Sequence, residues 1–347
     1  MPNSYLIMKY KIVKNIEEFK SLKKEWDRLY TKNQNYSVFQ SFEFNYYSWK
    51  YSLKNIYINL SIVLALKDDE ITSIFPFYID KYKRLRFIND IHSDFCDILS
   101  KEDIDFNRVN KYIQSELKIK SVHLINLRKE SNLINYFLID NFVESEKYSV
   151  IELKKGNFPK NSSRYKSKQK TEFRRIIKIN KGKTHEILNF PEDEFPERNI
   201  DKLRKSMIGF GIRNESFLPT SQVKLIKQLY QEKLLSISVV KSNTSFNAIS
   251  FILNDQCQRI IWIDMYDESK MVNLFNYISL VSRFSEKESI NINFGRGDYG
   301  YKISNFLPEI KSLYSVFLFS SDWQEFKFRF KNNVFSILRY LYKKIKK

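Results

Sequence analysis

Three of the chain's seven glycines, Gly295, Gly297 and Gly300, fall within six residues and lie beside the pair Tyr301-Lys302. Glycine adopts backbone conformations that other residues avoid, and its missing side chain lets a ligand approach the main chain closely. A chain this poor in glycine that concentrates it after an apolar stretch favours a shaped binding site. An ordinary exit from a strand into a loop would give the same spacing, so spacing alone leaves both interpretations open.

The charged residues of this run suit transfer chemistry on an anionic substrate. Asp298 could accept a proton from an acceptor amine or hold the acceptor by hydrogen bonds, or it could cap its own turn. Lys302 could neutralise a diphosphate or a developing oxyanion, or it could be an ordinary surface lysine. Arg296 lies between two glycines and is suited to pairing with a phosphate or carboxylate. Asp298, Lys302 and Arg296 are therefore candidate site residues.

The charge of the chain favours a polyanionic partner. The 347 residues carry a formal net charge of +19, with a pI near 9.5. Such a balance is typical of proteins that bind nucleic acid, a phosphate-bearing substrate or an anionic membrane. The lysines are spread along most of the chain, however, as they would be in any Lys-rich surface. The length and the apolar content allow two domains with sizeable cores.

Two cysteines, Cys96 and Cys257, lie far apart and allow neither a disulfide framework nor a Cys-based zinc site. His92, Asp94 and Cys96 would share one face of a strand, but nothing nearby completes a metal site, so we predict none. The N-terminus lacks the apolar core of a signal peptide, and no apolar run is long enough to span a bilayer. We therefore expect a cytoplasmic protein.

Hydrophobic periodicity predicts helices and strands in the first half. Helices are predicted over residues 15–30, 41–49 and 109–117. Strands are predicted over 60–66, 71–78, 85–88 and 121–127, with a turn at Asp68-Asp69.

The second half repeats this order after a basic segment, residues 154–183. Helices are predicted over 165–179, 201–210, 221–233 and 272–286, and strands over 235–241, 246–253, 259–265 and 289–294. The hairpin around Asn243 is similar in texture to the hairpin around Asp68, which favours two like domains side by side. The basic helix within 160–183 could contact tRNA phosphates, guide an anionic sugar nucleotide, or simply be solvated.

The start of the helix predicted at 272–286 is a candidate seat for a diphosphate. A helix entered from a strand presents free backbone N–H groups and the positive end of its dipole. The seat consists of Val272, Asn273, Leu274, Phe275 and Asn276. It has no Gly-x-Gly fingerprint and no Walker lysine, so an ordinary buried helix start remains the alternative.

The chain resembles the GNAT-type acyltransferases of the CelD cellulose-biosynthesis group. The resemblance covers about residues 15–305 and is most specific at the run Phe294-Gly295-Arg296-Gly297-Asp298 followed by Tyr301-Lys302. Tyr266-Asp267-Glu268, Trp26, Phe39-Gln40-Ser41 and Ser93-Asp94-Phe95 with Asp97 also match. The same arrangement is similar to the Fem peptidyltransferases, which carry two GNAT-like domains and take amino acids from tRNA.

The resemblance implies an α+β fold of tandem GNAT-like domains, each a mixed, mostly antiparallel sheet flanked by helices. We expect one domain over 1–155, a catalytic domain over 156–320 and an amphipathic helix over 321–347. The implied chemistry is transfer of an acyl group from acetyl-CoA or another acyl-CoA to an amine or hydroxyl. The implied acceptor is an amino sugar of a surface-polysaccharide precursor, which could be nucleotide-linked.

The resemblance also assigns roles to individual residues. Asp298, Tyr301 and Lys302 would be catalytic, with Tyr301 giving a proton to the thiolate leaving group. The acyl-CoA would lie on residues 272–276. The acceptor would contact the set formed by Gln40, Asp94, Asp97 and Arg296.

The chain departs from the CelD group at two positions. The usual Pro-Gly at the start of the CoA-facing helix is replaced by Val272-Asn273, and a glycine usual before the last strand is missing. Two alternatives therefore stand beside the acyl-CoA enzyme. One is a Fem-like ligase that uses aminoacyl-tRNA, and the other is a non-enzymatic membrane scaffold on a decayed GNAT fold.

The C-terminal segment, residues 322–347, has the pattern of an amphipathic helix. Asp322 and Glu325 could form a capping box, and an apolar stripe is surrounded by lysines and Arg339. This pattern favours a helix that lies on an anionic membrane at the inner face. Docking onto the body of the protein is the alternative, chiefly for the first turns.

Overall fold

The computed structural model describes residues 8–52, 58–88, 90–101, 105–134, 142–156, 158–159, 162–297, 299–321, 325 and 328. The elements of the first half are β1 (Lys9–Val13), α1 (Ile16–Ser21), α2 (Lys23–Tyr30), a 3-10 turn (Val38–Gln40), α3 (Phe42–Ser52), β2 (Asn59–Leu60), β3 (Ile62–Lys67), β4 (Glu70–Phe75), β5 (Phe77–Ile79), β6 (Arg84–Phe87), β7 (Leu99–Ser100), α4 (Phe106–Leu117) and β8 (Ser121–Arg128). The remaining elements are β9 (Phe142–Leu153), α5 (Ser167–Ile179), β10 (Thr184–Leu188), α6 (Glu197–Gly209), α7 (Thr220–Gln231), β11 (Leu235–Ser242), β12 (Ser245–Asn254), β13 (Gln258–Tyr266), α8 (Val272–Lys287), β14 (Ile290–Arg296), α9 (Gly300–Phe306) and β15 (Glu309–Phe319).

The described strands form two sheets. Eleven strands follow the order β10-β11-β12-β13-β14-β9-β15-β8-β6-β5-β2, and four follow the order β1-β3-β4-β7. Most neighbouring strands are antiparallel, whereas β6 with β8 and β13 with β14 are parallel. Each parallel pair belongs to one half of the chain and is joined through a helix, α4 in the first half and α8 in the second. A hairpin precedes each pair, β3–β4 or β11–β12.

Strands β9 and β15 join the two halves. β9 pairs with β14 of the second half on one side and with β15 on the other, and β15 pairs in turn with β8 of the first half. The chain therefore crosses between the halves twice, and the large sheet is continuous. Neither strand is predicted from the sequence. In β9 the charged residues Glu144, Glu146 and Lys147 interrupt the apolar pattern. The end of β15 is apolar, from Val316 to Phe319, and the sequence analysis missed it.

Helices cover both faces of the strands. Successive side chains of a strand point to opposite faces, so neighbouring residues pack against different helices. In the first half, α1–α3 bring Phe19 and Trp26 onto one face, and α4 brings Val109 onto the other. In the second half, Val239 packs with α6 and α7, whereas the next residue, Val240, packs with α5 and α8. Burying each large apolar side chain stabilises the fold by roughly 1.5–3 kcal/mol.

Three predicted elements are interrupted. The strand predicted over 60–66 divides at Ser61 into β2 of the large sheet and β3 of the small one. The helix predicted over 15–30 breaks at Leu22, whose N–H bonds the Phe19 carbonyl three residues back, and α2 begins after it. The strand predicted over 71–78 divides at Pro76 into β4 of the small sheet and β5 of the large one. Proline cannot donate to a strand ladder, so the chain changes sheets at this point.

The amphipathic helix predicted over 321–347 lies outside the described residues, apart from Ser321, Glu325 and Phe328. The Phe328 ring packs on the sheet, 4.8 Å from Phe317, 5.2 Å from Phe319 and 5.2 Å from His123 between ring centroids. Among the described helices, none is both long and apolar enough to cross a membrane.

Candidate functional site

A cavity of about 380 Å³ opens where strand β13 ends and the chain turns into helix α8. The turn forms most of its wall, completed by Ile212 and Tyr301. Asp267 shapes the turn because its Oδ1 accepts a hydrogen bond from the Ser269 N–H at 2.9 Å. Met271 then adopts a left-handed conformation, with φ at 58°, and the helix begins. The cavity therefore lies at the positive end of the helix dipole.

Among the described residues, no side chain caps the first turn of α8. The Val272 N–H bonds the Ser269 carbonyl at 3.2 Å, and helix geometry leaves the N–H groups of Asn273 and Leu274 without an intrahelical acceptor. Val272, Asn273 and Leu274 all line the cavity. The side-chain oxygen Oδ1 of Asn273 is buried and has no hydrogen-bond partner among the described residues. This wall therefore offers polar groups that a ligand could satisfy.

The other two residues of the predicted seat are buried on the inner side of α8. Phe275 packs into the core beside α5. Asn276 is fully buried; its Oδ1 accepts from the Ser238 hydroxyl at 2.6 Å, and its Nδ2 donates to Ser250 Oγ at 2.9 Å. Both residues thus hold the helix on the sheet and do not line the cavity.

Asp264 on β13 is a candidate site residue that the sequence analysis did not single out. Its Oδ1 accepts a hydrogen bond from Ser250 Oγ at 2.7 Å, and its Oδ2 accepts one from the Tyr277 hydroxyl. These two donors fix the orientation of a carboxylate that is not fully buried. One signal could have identified it, because Asp264 is the single charged residue in the apolar run from Ile260 to Met265.

Tyr277 connects Asp264 to Tyr301 on the cavity wall. The Tyr277 and Tyr301 rings stack at 6.3 Å between centroids, and the Tyr277 hydroxyl donates to Asp264. Burial and the nearby Asp264 charge raise the pKa of both phenols well above the ordinary value. Both hydroxyls therefore stay protonated at neutral pH, and Tyr301 can serve as a proton donor at the cavity.

Lys302 lies inside the protein and is 4% exposed. Its ammonium donates to the Phe294 carbonyl and lies 5.1 Å from the centre of the Tyr299 ring. Burial lowers the pKa of Lys302, while the charges of Asp264 and Asp94 act in the opposite direction. Lys302 is therefore a positive charge held behind the site, and not a solvated surface lysine.

Two of the three clustered glycines are required by the backbone. Gly295 has φ at +74°, and a Cβ there would lie 2.8 Å from the Ile261 carbonyl oxygen and 3.0 Å from Asp94 Oδ2. Gly297 has φ at +101°, and its Cβ would collide with the Tyr299 ring at 2.6 Å. Gly295 is thus required by the packing of the loop against strand β13, and Gly297 by the position of the Tyr299 ring within the loop.

Asp94 crosses from the first half to contact the loop. It is 5% exposed, and its Oδ2 accepts the Arg296 N–H at 3.2 Å. The Arg296 guanidinium lies 3.8 Å from the other carboxylate oxygen and donates to the Ile91 carbonyl at 3.0 Å. Burial raises the pKa of Asp94 to about 6, although Arg296 and Lys302 oppose that shift. The structure thus brings together two of the four residues predicted to bind the acceptor.

Gln40 and Asp97, the other two, are engaged within the first half. Gln40 Oε1 accepts from the Ser37 N–H, and its Nε2 donates to the Phe95 carbonyl, at 3.0 and 2.9 Å. Asp97 accepts from Ser131 Oγ at 2.7 Å and from two backbone N–H groups. Burial raises the pKa of Asp97 to about 6. Both side chains hold the segment that carries Asp94.

Asp298, predicted to be a catalytic base, lies outside the described residues, between the described Gly297 and Tyr299. Within the described part of the chain, no three His, Cys, Asp or Glu side chains are grouped so that they could hold an ion.

Solved structures share the fold of this chain. No protein-family model and no curated protein matches its sequence. The C-terminal domain of a lysylphosphatidylglycerol synthetase-like protein from Agrobacterium fabrum aligns with a TM-score of 0.57 at 8% identity, over 87% of this chain and 92% of its own. FemX aligns with a TM-score of 0.56 at 10% identity, over 85% and 96% of the two chains. A tandem GNAT protein from the clavulanic acid biosynthesis pathway aligns with a TM-score of 0.50 at 6% identity, over 90% and 100%.

These likenesses confirm the predicted α+β fold, in which sheets are flanked by helices as in tandem GNAT proteins. The narrower resemblance to the CelD group stays a prediction, and so do the domain boundaries at residues 155 and 320.

Proposed function

We propose that the protein is a GNAT-fold acyltransferase whose acyl-CoA donor binds in the cavity at the start of α8. The observation that carries the proposal is the uncapped first turn of α8, which opens into a cavity lined by Tyr301. The Tyr301 ring stacks on Tyr277, whose hydroxyl donates to Asp264. The N–H groups of Asn273 and Leu274 and the helix dipole would hold the donor diphosphate.

The reaction would be a direct transfer. The acceptor nitrogen or oxygen attacks the thioester carbonyl, the new C–N or C–O bond forms, and the C–S bond breaks. A carboxylate takes the proton that the nucleophile loses, and Tyr301 gives its proton to the departing thiolate. Asp264 suits the first role because a carboxylate that accepts two hydrogen bonds still has free lone pairs. Asp298 keeps the same predicted role, and Lys302 would stabilise the developing negative charge.

The acceptor proposed from the CelD resemblance is an amino sugar of a surface-polysaccharide precursor. The Arg296 side chain is 29% exposed, so it could still contact an anionic acceptor. Asp94 would act indirectly, by accepting a hydrogen bond from the backbone N–H of Arg296. We further propose that the protein works in the cytoplasm, where the tail over 322–347 would bring it to the inner face of an anionic membrane.

A second candidate donor is aminoacyl-tRNA, as in the Fem resemblance. The observation that favours it is the position of the basic helix α5 beside the cavity. The Arg175 guanidinium reaches the Met271 sulfur at 3.0 Å, and Asn180 Nδ2 lies 3.4 Å from the Lys270 carbonyl. The exposed Lys168 and Arg174 on the same helix could then contact nucleic-acid phosphates.

Calorimetric titration with acetyl-CoA, longer acyl-CoA esters and aminoacyl-tRNA tests the two donors. We expect saturable binding of an acyl-CoA, with acyl transfer to a glucosamine-containing acceptor detected by mass spectrometry. Tight binding of aminoacyl-tRNA without any heat from millimolar acyl-CoA would replace the first candidate with the second. Binding of neither donor would leave the scaffold alternative.

A further inference from the structure

A second cavity, of about 460 Å³, lies at the opposite end of helix α8 from the proposed donor site. It is bounded by strands β10–β13 and the last turns of the helix. Its lining residues are Ile187, Asn189, Ser236, Asn254, Arg259, Arg283, Phe284 and Lys287. From Asn273 to Arg283 the helix rises by about 15 Å, so the two cavities are separate.

Three cations face this cavity, and the described residues that line it include no carboxylate. Arg283 and Lys287 lie one helical turn apart on α8, and Arg259 comes from β13. The Arg259 guanidinium is held by the Asp255 carbonyl at 3.0 Å and lies 3.7 Å from Glu288, whose side chain is 52% exposed. For Arg283 and Lys287, no ion pair is found within the described part of the chain. Two cationic side chains are therefore available to a ligand.

The polar floor of the cavity is fixed by its own hydrogen bonds. The Ser236 hydroxyl donates to Asn189 Oδ1 at 2.7 Å, and Asn254 Nδ2 donates to Ser236 Oγ at 2.9 Å. Asn254 Nδ2 also donates to the Lys233 carbonyl at 3.2 Å, whereas Asn189 Nδ2 makes one bond, to the Ile187 carbonyl at 3.3 Å. One amide hydrogen of Asn189 is thus left to donate, because each amide nitrogen carries two.

We propose that this cavity binds the phosphate group of a small ligand. A guanidinium presents paired N–H donors that match a phosphate, and a lysine adds a mobile point charge. The combination of Arg259, Arg283, Lys287 and an amide donor suits a dianionic oxyanion better than a single carboxylate. The group could come from free phosphate or from a phosphate ester, and the site does not depend on the identity of the acyl donor.

A structural role for the same cations gives a different expectation. Cations near a helix C-terminus stabilise the helix by interacting with its dipole. If Arg283 and Lys287 did nothing else, their removal would lower the melting temperature but leave any effect of phosphate unchanged. The two accounts therefore differ in the response to added phosphate and not in stability alone.

The test measures binding of inorganic phosphate and of glucose 1-phosphate by calorimetry, with chloride at matched ionic strength as the reference. The variant Arg283→Gln/Lys287→Gln is compared with Lys202→Gln/Lys224→Gln, which removes the same charge from exposed positions on α6 and α7. We expect the dissociation constant to rise at least tenfold in the first variant and to stay within twofold in the second. Tighter binding of glucose 1-phosphate than of phosphate would identify an ester as the ligand, and the reverse would identify the free ion.

Two results would overturn the proposal: no binding of either probe to the unaltered protein at millimolar concentration, or equal binding by both variants. If the double variant does not fold, Arg283→Gln alone is measured. A loss of affinity of threefold or more in that single variant is then expected, and unchanged affinity would refute the site.

Discussion

Each half of the molecule contains one parallel pair of strands. The halves differ in what contacts the end of the pair where its two strands stop hydrogen-bonding to each other. In the first half, the β6–β8 ladder ends after Leu85 and Val122, although β8 continues to Arg128. In the second half, the β13–β14 ladder ends after Ile260 and Asn293, although β13 continues to Tyr266. Beyond these points the two strands of each pair no longer bond to each other. The backbone groups on their facing edges therefore need other partners.

Residues 90–98 supply those partners in the first half. The Cys96 N–H bonds the Asn126 carbonyl at 2.9 Å, and Asn126 Nδ2 donates to the Asp90 and Ser93 carbonyls, each at 2.9 Å. The helix that follows is also closed, because Asp105 caps α4 by accepting from two backbone N–H groups. In the second half, α8 has no side-chain cap and its start borders a cavity. In the first half, the protein's own groups thus satisfy the end of the strand pair and the start of the helix; we call this the sealed half. In the second half, which we call the open half, backbone N–H donors at the start of α8 remain for a ligand.

The largest expected effect is a loss of turnover when Asp264, in the second half, is replaced. Asp97, in the first half, is the carboxylate used for comparison. Asp264→Asn should lower turnover about a hundredfold or more if Asp264 is the base, with little change in melting temperature. Asp97→Asn, in the sealed half, should lower stability while leaving turnover per folded molecule unchanged. Steady-state kinetics and thermal unfolding of both variants are the measurements.

Asp298→Asn decides between the two candidate bases. A full hundredfold loss in that variant together with near-normal activity of Asp264→Asn would assign the base to Asp298. Normal activity in both variants would remove acid–base chemistry by either carboxylate from the proposal.

Gly295→Ala should destabilise the contact between the halves. The added Cβ would lie 2.8 Å from the Ile261 carbonyl oxygen, and the residue has φ at +74°. Backbone strain of this kind costs about 1–3 kcal/mol, before the collision is relieved. Gly300→Ala is the control, because a Cβ there meets no atom within 4 Å. Urea unfolding should show a clear loss for the first variant and no loss for the second, and equal stability would contradict the packing described for the loop.

Asn273→Asp would place a negative charge at the start of α8, as the N-cap residue Asp105 does at the start of α4. The carboxylate should stabilise the helix through its dipole but repel a bound diphosphate, so acyl-CoA affinity should fall about tenfold or more. Ser221→Asp adds the same charge at the start of α7, where no donor is proposed, and should leave affinity unaltered. Calorimetry on both variants checks this. Unchanged affinity in Asn273→Asp would place the donor elsewhere.

The smallest expected effect is the pH dependence carried by Asp94. Its folded pKa is raised to about 6 by burial, so its contribution is fully present below the unfolded pKa of about 3.9 and is lost as pH rises through 6. Between pH 4.5 and 7 this loss amounts to about 1–2 kcal/mol. Asp94→Asn should therefore flatten the decline in the free energy of unfolding over that window. The exposed Asp201→Asn serves as the control, and an undiminished slope in Asp94→Asn would show that Asp94 is charged throughout.

Local pattern alone predicted most of the helices and strands of the second half. The apolar strands β11–β13 and the helix α8 follow directly from hydrophobic periodicity. The turn at Asp68-Asp69 is also confirmed, with φ at 51° and 62°, which short polar side chains tolerate. The glycine cluster marked the loop whose backbone needs positive φ. Each of these features depends on residues close together in the chain.

Tertiary structure alone decided how the site is assembled. Asp94 meets Arg296 across 202 positions of sequence, and Asp264 becomes a site residue only because Ser250 and Tyr277 converge on it. The pairing of β9 with β15, which makes one sheet of both halves, likewise depends on partners far apart in the chain. The residues of the glycine run were visible in the sequence, but Lys302 acquired its buried position from packing. Local periodicity carries no information on which distant surfaces meet, because that choice is made by burial and register over the whole fold.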